Sequence, residues 1–348
     1  VDCFCGAGGL SLGLKAAGFE IGYAFDNDEA PIKTYAHNMG PHAHVKDIKQ
    51  LDPEEILTSL DVEPGEIDLV AGGPPCQGFS VQRRGADKDE RNHLVGEYLR
   101  VCSVLLPRFV LMENVGGILS KRGKSHFMQI VEGLEIIGYK TAFRKLHALQ
   151  YGVPQDRRRV FLVAERVGEG ESQRFDWPTP QSDKVKTVKD AIWDLRRKKD
   201  GFLPNHRADK LSAINIERIR SLKPGQGRDS LPEHLQLPCH RTNSGHRHLD
   251  TYGRMDWSQP APTITARFDS FSRGRFGHPE ADRTITLREG ARLQTFPDDF
   301  EFFGTKVEMA RQVGNAVPPL LAKAVGKKIL ESIIAIRSDQ DAESLAHR

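Results

Sequence analysis

Four short segments hold side chains whose types and spacing suit chemistry. In GGPPCQGFS (72–80), which follows the apolar run IDLVA, two prolines lead straight into Cys76. Proline fixes φ and removes a donor, so the loop is stiff. A cysteine is ordinarily a small buried hydrophobe, but a rigid Pro-Pro lead at the carboxyl end of a strand points instead to a held nucleophile. A free thiol with pKa ~8.5 is only slightly ionised at neutral pH, so such a nucleophile needs a positive neighbour or a base during attack. The segment FVLMENV (109–115) is apolar until Glu113 and Asn114. A carboxylate there is costly unless paired or protonated, which makes Glu113 a general-acid candidate with a raised pKa; a solvated strand end is the alternative.

In QDRRR (155–159), ahead of the strand VFLVA, alternation sends Arg157 and Arg159 to one side and Arg158 to the other. Two arginines on one face can grip a phosphate, a carboxylate or a base edge; a surface basic run is the bland reading. FCGAGG (4–9) lies where a first strand turns into a first helix, so that a ligand can approach the backbone beside a positive helix N-terminus. Asp26 ends the next strand about 20 residues later, where an acid takes ribose hydroxyls in dinucleotide folds. A tight structural turn and a helix N-cap are the competing readings.

Elements must bring these segments together. From residue 1 to about 165, short apolar runs alternate with helical patterns, which predicts a mostly parallel sheet with helices on both faces and a ligand crevice at the strands' carboxyl ends. Between 167 and 284 the pattern gives way to short stretches rich in Arg, His, Gly and Pro, read as a second domain of irregular loops on a short-stranded scaffold. Regular structure resumes with TLREGARLQTF, where Thr286 is a candidate N-cap with Glu289 three residues on. QVGNAVPP follows, then a last helix over 319–336 that starts at prolines, with a polar tail expected to fray after Arg337.

With 348 residues, 38% hydrophobic and 28% charged, the chain suits one large domain or two smaller ones and excludes bulk disorder. No apolar run reaches the ~18 residues of a membrane span, and no secretory signal is seen, so a soluble cytoplasmic protein is expected. The opening VDCFCGAGG lacks Met and lies inside an apparent strand, which leads to the expectation that residues precede Val1. Five scattered cysteines without a CxxC pair fit a reduced compartment and speak against structural zinc; no metal is expected. The net charge of +3 hides an asymmetry: residues 144–283 hold 27 Lys/Arg against 18 Asp/Glu, leaving the remainder acidic. That region is either a polyanion-facing lobe or a solvated surface.

The ordered set FCGAGG, GGPPCQGFS, MENV, YGVPQDRRRVF, REGARLQTFPDDF and QVGNAVPP resembles the bacterial DNA cytosine-5 methyltransferases over nearly the whole chain. The resemblance implies an α/β fold: a Rossmann-like S-adenosylmethionine-dependent methyltransferase sheet with a smaller, irregular target-recognition domain. It implies a catalytic and cofactor domain over 1–166, a target-recognition domain over 167–284, and a C-terminal part, 285–348, returning to the catalytic domain. S-adenosyl-L-methionine would be the methyl donor, leaving S-adenosyl-L-homocysteine, and a cytosine flipped out of double-stranded DNA the acceptor. Phe4, Gly6, Gly8, Gly9, Asp26, Asn27, Asp47, Ile48, Pro74, Leu94, Asn315, Ala316 and Val317 would form the cofactor pocket. Asp26 would meet the ribose and Asp47 the adenine amine, while Asn27 stands where many relatives stack a bulky side chain.

By the same resemblance, Cys76 attacks carbon 6 of cytosine, Glu113 donates to ring nitrogen 3 and Arg159 to the exocyclic oxygen, while Arg157 organises the site. Gln77 and Ser80, with Arg241, Arg247, Arg273 and Arg275 in two mixed polar loops, would contact DNA. A monomer serving a restriction-modification system beside a cognate endonuclease is the implied setting. Rival readings are a tRNA cytosine-5 methyltransferase of the same fold and a catalytically silent nucleic-acid-binding relative. An NAD-dependent oxidoreductase fits worst, because FCGAGG lacks the GxGxxG spacing.

Overall fold

Seven strands form one sheet in the order β3-β2-β1-β4-β5-β7-β6 in the computed structural model, which describes residues 1–75, 94–121, 123–168, 170, 172–180, 184–238 and 249–346. The strands are β1 (Asp2–Cys3), β2 (Ala24–Asp26), β3 (Ala43–Val45), β4 (Leu69–Gly72), β5 (Phe109–Val115), β6 (Tyr139–His147) and β7 (Arg158–Arg166). β1 to β5 pair in parallel, while β7 runs antiparallel between β5 and β6. Helices α1 (Gly9–Ala17), α2 (Glu29–Met39), α3 (Glu54–Leu60), α4 (Leu94–Leu105) and α5 (Lys124–Ile136) connect the strands. β5 is central and flanked on both edges, so it is buried from Phe109 to Asn114 and reads as an apolar run instead of an alternating one.

The chain divides into two compact units, the first made of Val1–His147, Arg158–Pro180 and Pro319–Arg348, the second of Ala148–Arg157 and Gln181–Pro318. By contacts, 285–318 therefore goes with the second unit, because α8 (Leu287–Leu293) packs on α6 (Val188–Ile192) and on α9 (Lys306–Asn315). Only α10 (Pro319–Ala346) rejoins the sheet, lying along α1. Their contact is close: a Cβ on Gly13 would lie 2.4 Å from Ala322 Cβ and 2.5 Å from the Pro319 carbonyl. α10 starts at the prolines as expected but continues to Ala346 in place of the frayed tail. Arg337 donates to both oxygens of Asp68, at 2.7 and 2.9 Å, and Arg174 pairs with Asp339, so the helix is held at 337–339.

In the second unit the short-stranded scaffold expected from the sequence resolves, among the described residues, to three isolated bridges and short helical turns, α7 (Ala213–Arg220) being one of the longer pieces. Buried arginines replace a ladder there. Arg254 donates to the carbonyls of Ile219 and His278, and Arg288 to those of Pro204, Pro297 and Phe300. Backbone acceptors that a sheet would pair are satisfied by guanidinium forks. Thr286 and Glu289 form the predicted capping box, and Arg283 adds a bidentate pair to Glu289 with both distances 2.7 Å. No helix among the described residues is long and apolar enough to cross a membrane.

Candidate active site

The parallel strands deliver their carboxyl ends to one edge of the sheet. β5 ends there, and because β7 runs back beside it, Glu113 faces Phe161 while Val115 faces Arg159. Arg159 is thus the diagonal neighbour of Glu113 on the same face, and its Nε lies 3.1 Å from Glu113 Oε1. Both side chains are nearly buried. Burial pushes the Arg159 guanidinium down from its ordinary value and Glu113 opposes the shift. The alternative of a solvated strand end is set aside: Glu113 is 9% exposed and held by a cation.

The next residue, Asn114, donates its Nδ2 to the Pro74 carbonyl at 2.9 Å and accepts the Val115 N–H with Oδ1 at 2.8 Å. It clamps the loop that leads to Cys76, with buried Pro74 held from the neighbouring strand end. Gly73 lies over the other carboxylate oxygen: a Cβ placed there would be 3.7 Å from Glu113 Oε2. Cys76, Gln77 and Ser80 themselves lie outside the described residues.

At β1 the chain turns through Phe4, Gly6 and Gly8 with φ of +60°, +51° and +95°. Gly8 is the N-cap of α1 and brings no side chain to it, which leaves the helix's first N–H groups facing the loop. The N–H of Gly6 donates to Asp26 Oδ2 at 3.0 Å and that of Asp28 to Oδ1 at 3.1 Å. Asp26 thus braces the glycine turn from the end of β2, and burial pushes its carboxyl above the usual range against these two bonds. Asp47 and Ile48 follow the end of β3; Asp47 caps its own turn through the Lys49 N–H at 3.0 Å, and Ile48 is buried. Leu94 opens α4 and packs on the same core as Phe4. Asn27 is exposed.

Beneath this turn lies a set that sequence reasoning missed. Tyr35 donates to Ser11 Oγ at 2.8 Å, Ser11 donates to Asp2 Oδ2 at 2.5 Å, and the Tyr35 ring stands 2.9 Å from where a Gly8 Cβ would be. Burial pushes the Asp2 carboxyl up to about 7. The signal was available, since an acid inside the apolar run VDCF calls for a partner.

Arg157 behaves otherwise than strand alternation suggested. β7 starts at Arg158, so the alternation does not extend to it. Its guanidinium donates to the carbonyls of Ile264 at 2.9 Å, Gly314 at 3.0 Å and Ala316 at 2.9 Å. Gln155 Nε2 donates to Gln294 Oε1 at 2.9 Å, and Gln294 in turn donates to the Val313 carbonyl at 2.6 Å. Together they hold Asn315–Val317 at the end of α9. Gly314 is required there, because any Cβ would fall 2.2 Å from the Thr265 backbone. Of the candidate DNA-contacting arginines, Arg273 is exposed, while Arg275 is half-buried and donates to the Gly225 carbonyl at 2.9 Å. Arg241 and Arg247 lie outside the described residues. No group of side chains suited to hold a metal ion occurs among the described residues.

The family model "C-5 cytosine-specific DNA methylase" matches residues 1–331. Type II methylase M.HgiDII of Herpetosiphon aurantiacus is 34% identical over 340 residues, covering 94% of either chain. Type II methyltransferase M1.HphI of Haemophilus parahaemolyticus is 35% identical over 339 residues, 95% of this chain and 86% of that protein. Among solved structures, a prophage-encoded protein of E. coli assigned as a DNA modification methyltransferase superposes with a TM-score of 0.75 at 28% identity, over 95% of this chain and 98% of that one.

Proposed function

Because this chain belongs to the C-5 cytosine-specific DNA methylases, and so methylates carbon 5 of cytosine in DNA, we propose that it does so through a covalent adduct between Cys76 and a base turned out of the duplex. The observation that carries the reading is the Glu113–Arg159 pair, at 3.1 Å, beside an Asn114 that holds the Pro74 carbonyl at 2.9 Å. An acid, a cation and the stem of the nucleophile loop share one strand end. Carbon 5 of cytosine is a poor nucleophile. Attack of the Cys76 thiolate on carbon 6 breaks the 5,6 double bond, with Glu113 giving a proton to nitrogen 3 and Arg159 donating to the exocyclic oxygen. The resulting enamine has electron density at carbon 5. After that carbon is alkylated, loss of its proton and departure of Cys76 restore the aromatic ring and the thiolate.

S-adenosylmethionine supplies the electrophilic methyl group when bound. The residues at β1 to β3 suit it: a left-handed glycine turn open to close approach, an uncapped helix N-terminus, a carboxylate for ribose hydroxyls at Asp26, a second at Asp47, and apolar contacts from Phe4, Ile48 and Leu94. Gly6, Gly8, Gly9, Asn27 and Pro74 complete the proposed lining in this unit. Asp26→Ala should weaken donor binding by about 1.5 to 3 kcal/mol, ~10- to 100-fold, as expected for hydrogen bonds to a charged group. Titration calorimetry checks this, and unchanged affinity refutes the placement. Asp26→Asn, which keeps an acceptor for the Gly6 N–H, should show most of the loss if ribose binding is the cause.

The named relatives are Type II enzymes, and we read this chain likewise as the modification partner of a restriction endonuclease, acting as a monomer. Its 167–284 stretch would select the sequence, with Arg273 the exposed candidate among the described residues. Bisulfite sequencing of plasmid DNA from cells that express the chain tests the whole reading. One sequence motif should be protected at one cytosine, and uniformly converted DNA would reject it.

A further inference from the structure

The surface around Trp193, in the second unit, has chemistry that none of the residues above uses. α6 ends at Ile192 and Trp193 opens a 3-10 turn, which leaves the indole 36% exposed. The Arg196 guanidinium stacks 3.8 Å from the ring centroid, the Lys189 ammonium lies 4.9 Å from it, and Trp257 meets it edge-on at 5.0 Å. Further on, Phe202 is 53% exposed beneath Lys198, whose ammonium is 4.3 Å from the ring. Large rings left in water and roofed by cations combine a flat apolar face with fixed positive charge.

The acids of the same stretch are spent locally. Asp190 accepts the Thr187 N–H at 2.8 Å, Asp194 pairs with Arg292 at 2.6 Å, Asp200 accepts the Ala208 N–H at 3.1 Å, and Asp209 pairs with Lys306. Arg197, Lys198 and Lys199, by contrast, are all exposed, and among the described residues no carboxylate makes an ion pair with Arg197 or Lys199. Over 184–209 eight Lys/Arg stand against four acids, each acid with a local partner, and Arg196 also lies 4.0 Å from Glu280, so the stretch has a surplus of positive charge. Its fitting partner is a polyanion with regularly spaced charges.

We propose that this face binds the phosphate backbone of duplex DNA without reading its sequence, an inference that rests on duplex DNA being the substrate. Held cations lose little rotamer freedom on meeting phosphate, and Trp193 fixes two of them in advance. The test uses the full chain with Lys189→Ala, Arg196→Ala and Lys198→Ala combined, the three cations held over Trp193 and Phe202. Affinity is measured by fluorescence anisotropy from about 50 to about 300 mM salt, on one duplex with the methylated site and one without. Each phosphate contact contributes about 0.9 to the slope of log affinity against log salt, so the slope should become shallower by about 2 to 3 on both duplexes. The preference between duplexes and the affinity for S-adenosylmethionine should hold.

A wild-type slope on both duplexes overturns the proposal. A loss confined to the site-bearing duplex also overturns it, since the residues would then read bases. Failure of the functional reading looks different: the wild-type chain would leave DNA unmethylated. A wild type that methylates DNA, with an unchanged slope in the variant, rejects this surface alone.

Discussion

Replacing Cys76 by alanine is expected to abolish methylation of duplex DNA while S-adenosylmethionine still binds with near wild-type affinity. The thiolate is the group that turns carbon 5 into a nucleophile, and no other side chain in the proposed site forms that bond. Covalent catalysis splits one difficult step into two easier ones, so its removal leaves the difficult step intact. A duplex with 5-fluorocytosine at the target should trap the wild-type chain as a stable adduct, because fluorine does not leave as a proton does. The Cys76→Ala chain should form none. Substantial turnover in that variant, or an adduct that maps to another residue, would reject the assignment. The supporting geometry is the approach to the loop: Asn114 grips the Pro74 carbonyl, and two prolines then carry the chain to the thiol with little freedom.

The second large effect belongs to Glu113. Glu113→Gln keeps the side chain's shape beside Arg159, whose Nε lies 3.1 Å from Oε1 in the wild-type site, but an amide cannot transfer a proton to nitrogen 3. General acid help is typically worth ~10² to 10⁴ in rate, and kcat should fall by that order while the KM for the methyl donor stays put. The swap also leaves the buried guanidinium without its counter-charge, so some stability should be lost. Thermal unfolding run alongside separates the two. A folded variant within a few-fold of wild-type kcat would remove Glu113 from the proton transfer.

Features written in consecutive residues were legible before folding. FVLMENV is β5 residue for residue, the Thr286–Glu289 capping box forms, and α10 begins at the predicted prolines. Each depends on neighbours within a turn or on a strand's period. Arg157 shows what local reading misses. Its partners at 264, 314 and 316 are more than a hundred residues away, and nothing in QDRRR distinguishes a staple for distant carbonyls from a grip on a ligand. Asp2, Ser11 and Tyr35 were missed for a related reason: the bond from Tyr35 to Ser11 spans a whole βα unit. In the second unit, guanidinium-to-carbonyl bonds stand in for a ladder, so the strand period has nothing to report.

The close seating of α10 on α1 has a consequence for synthesis. The first unit is built from the chain's opening 147 residues, a middle piece and α10, and the whole of 181–318 is translated before α10 exists. Until that last helix leaves the ribosome, the groove at Gly13 is open and the helix whose first turn carries the glycine loop lacks its cover. Contacts that distant in sequence form late, because the intervening chain must first be made and its loop closed. A nascent polypeptide that has not yet reached α10 therefore holds the nucleophile motif and the second unit while α1 still lacks the helix that covers it.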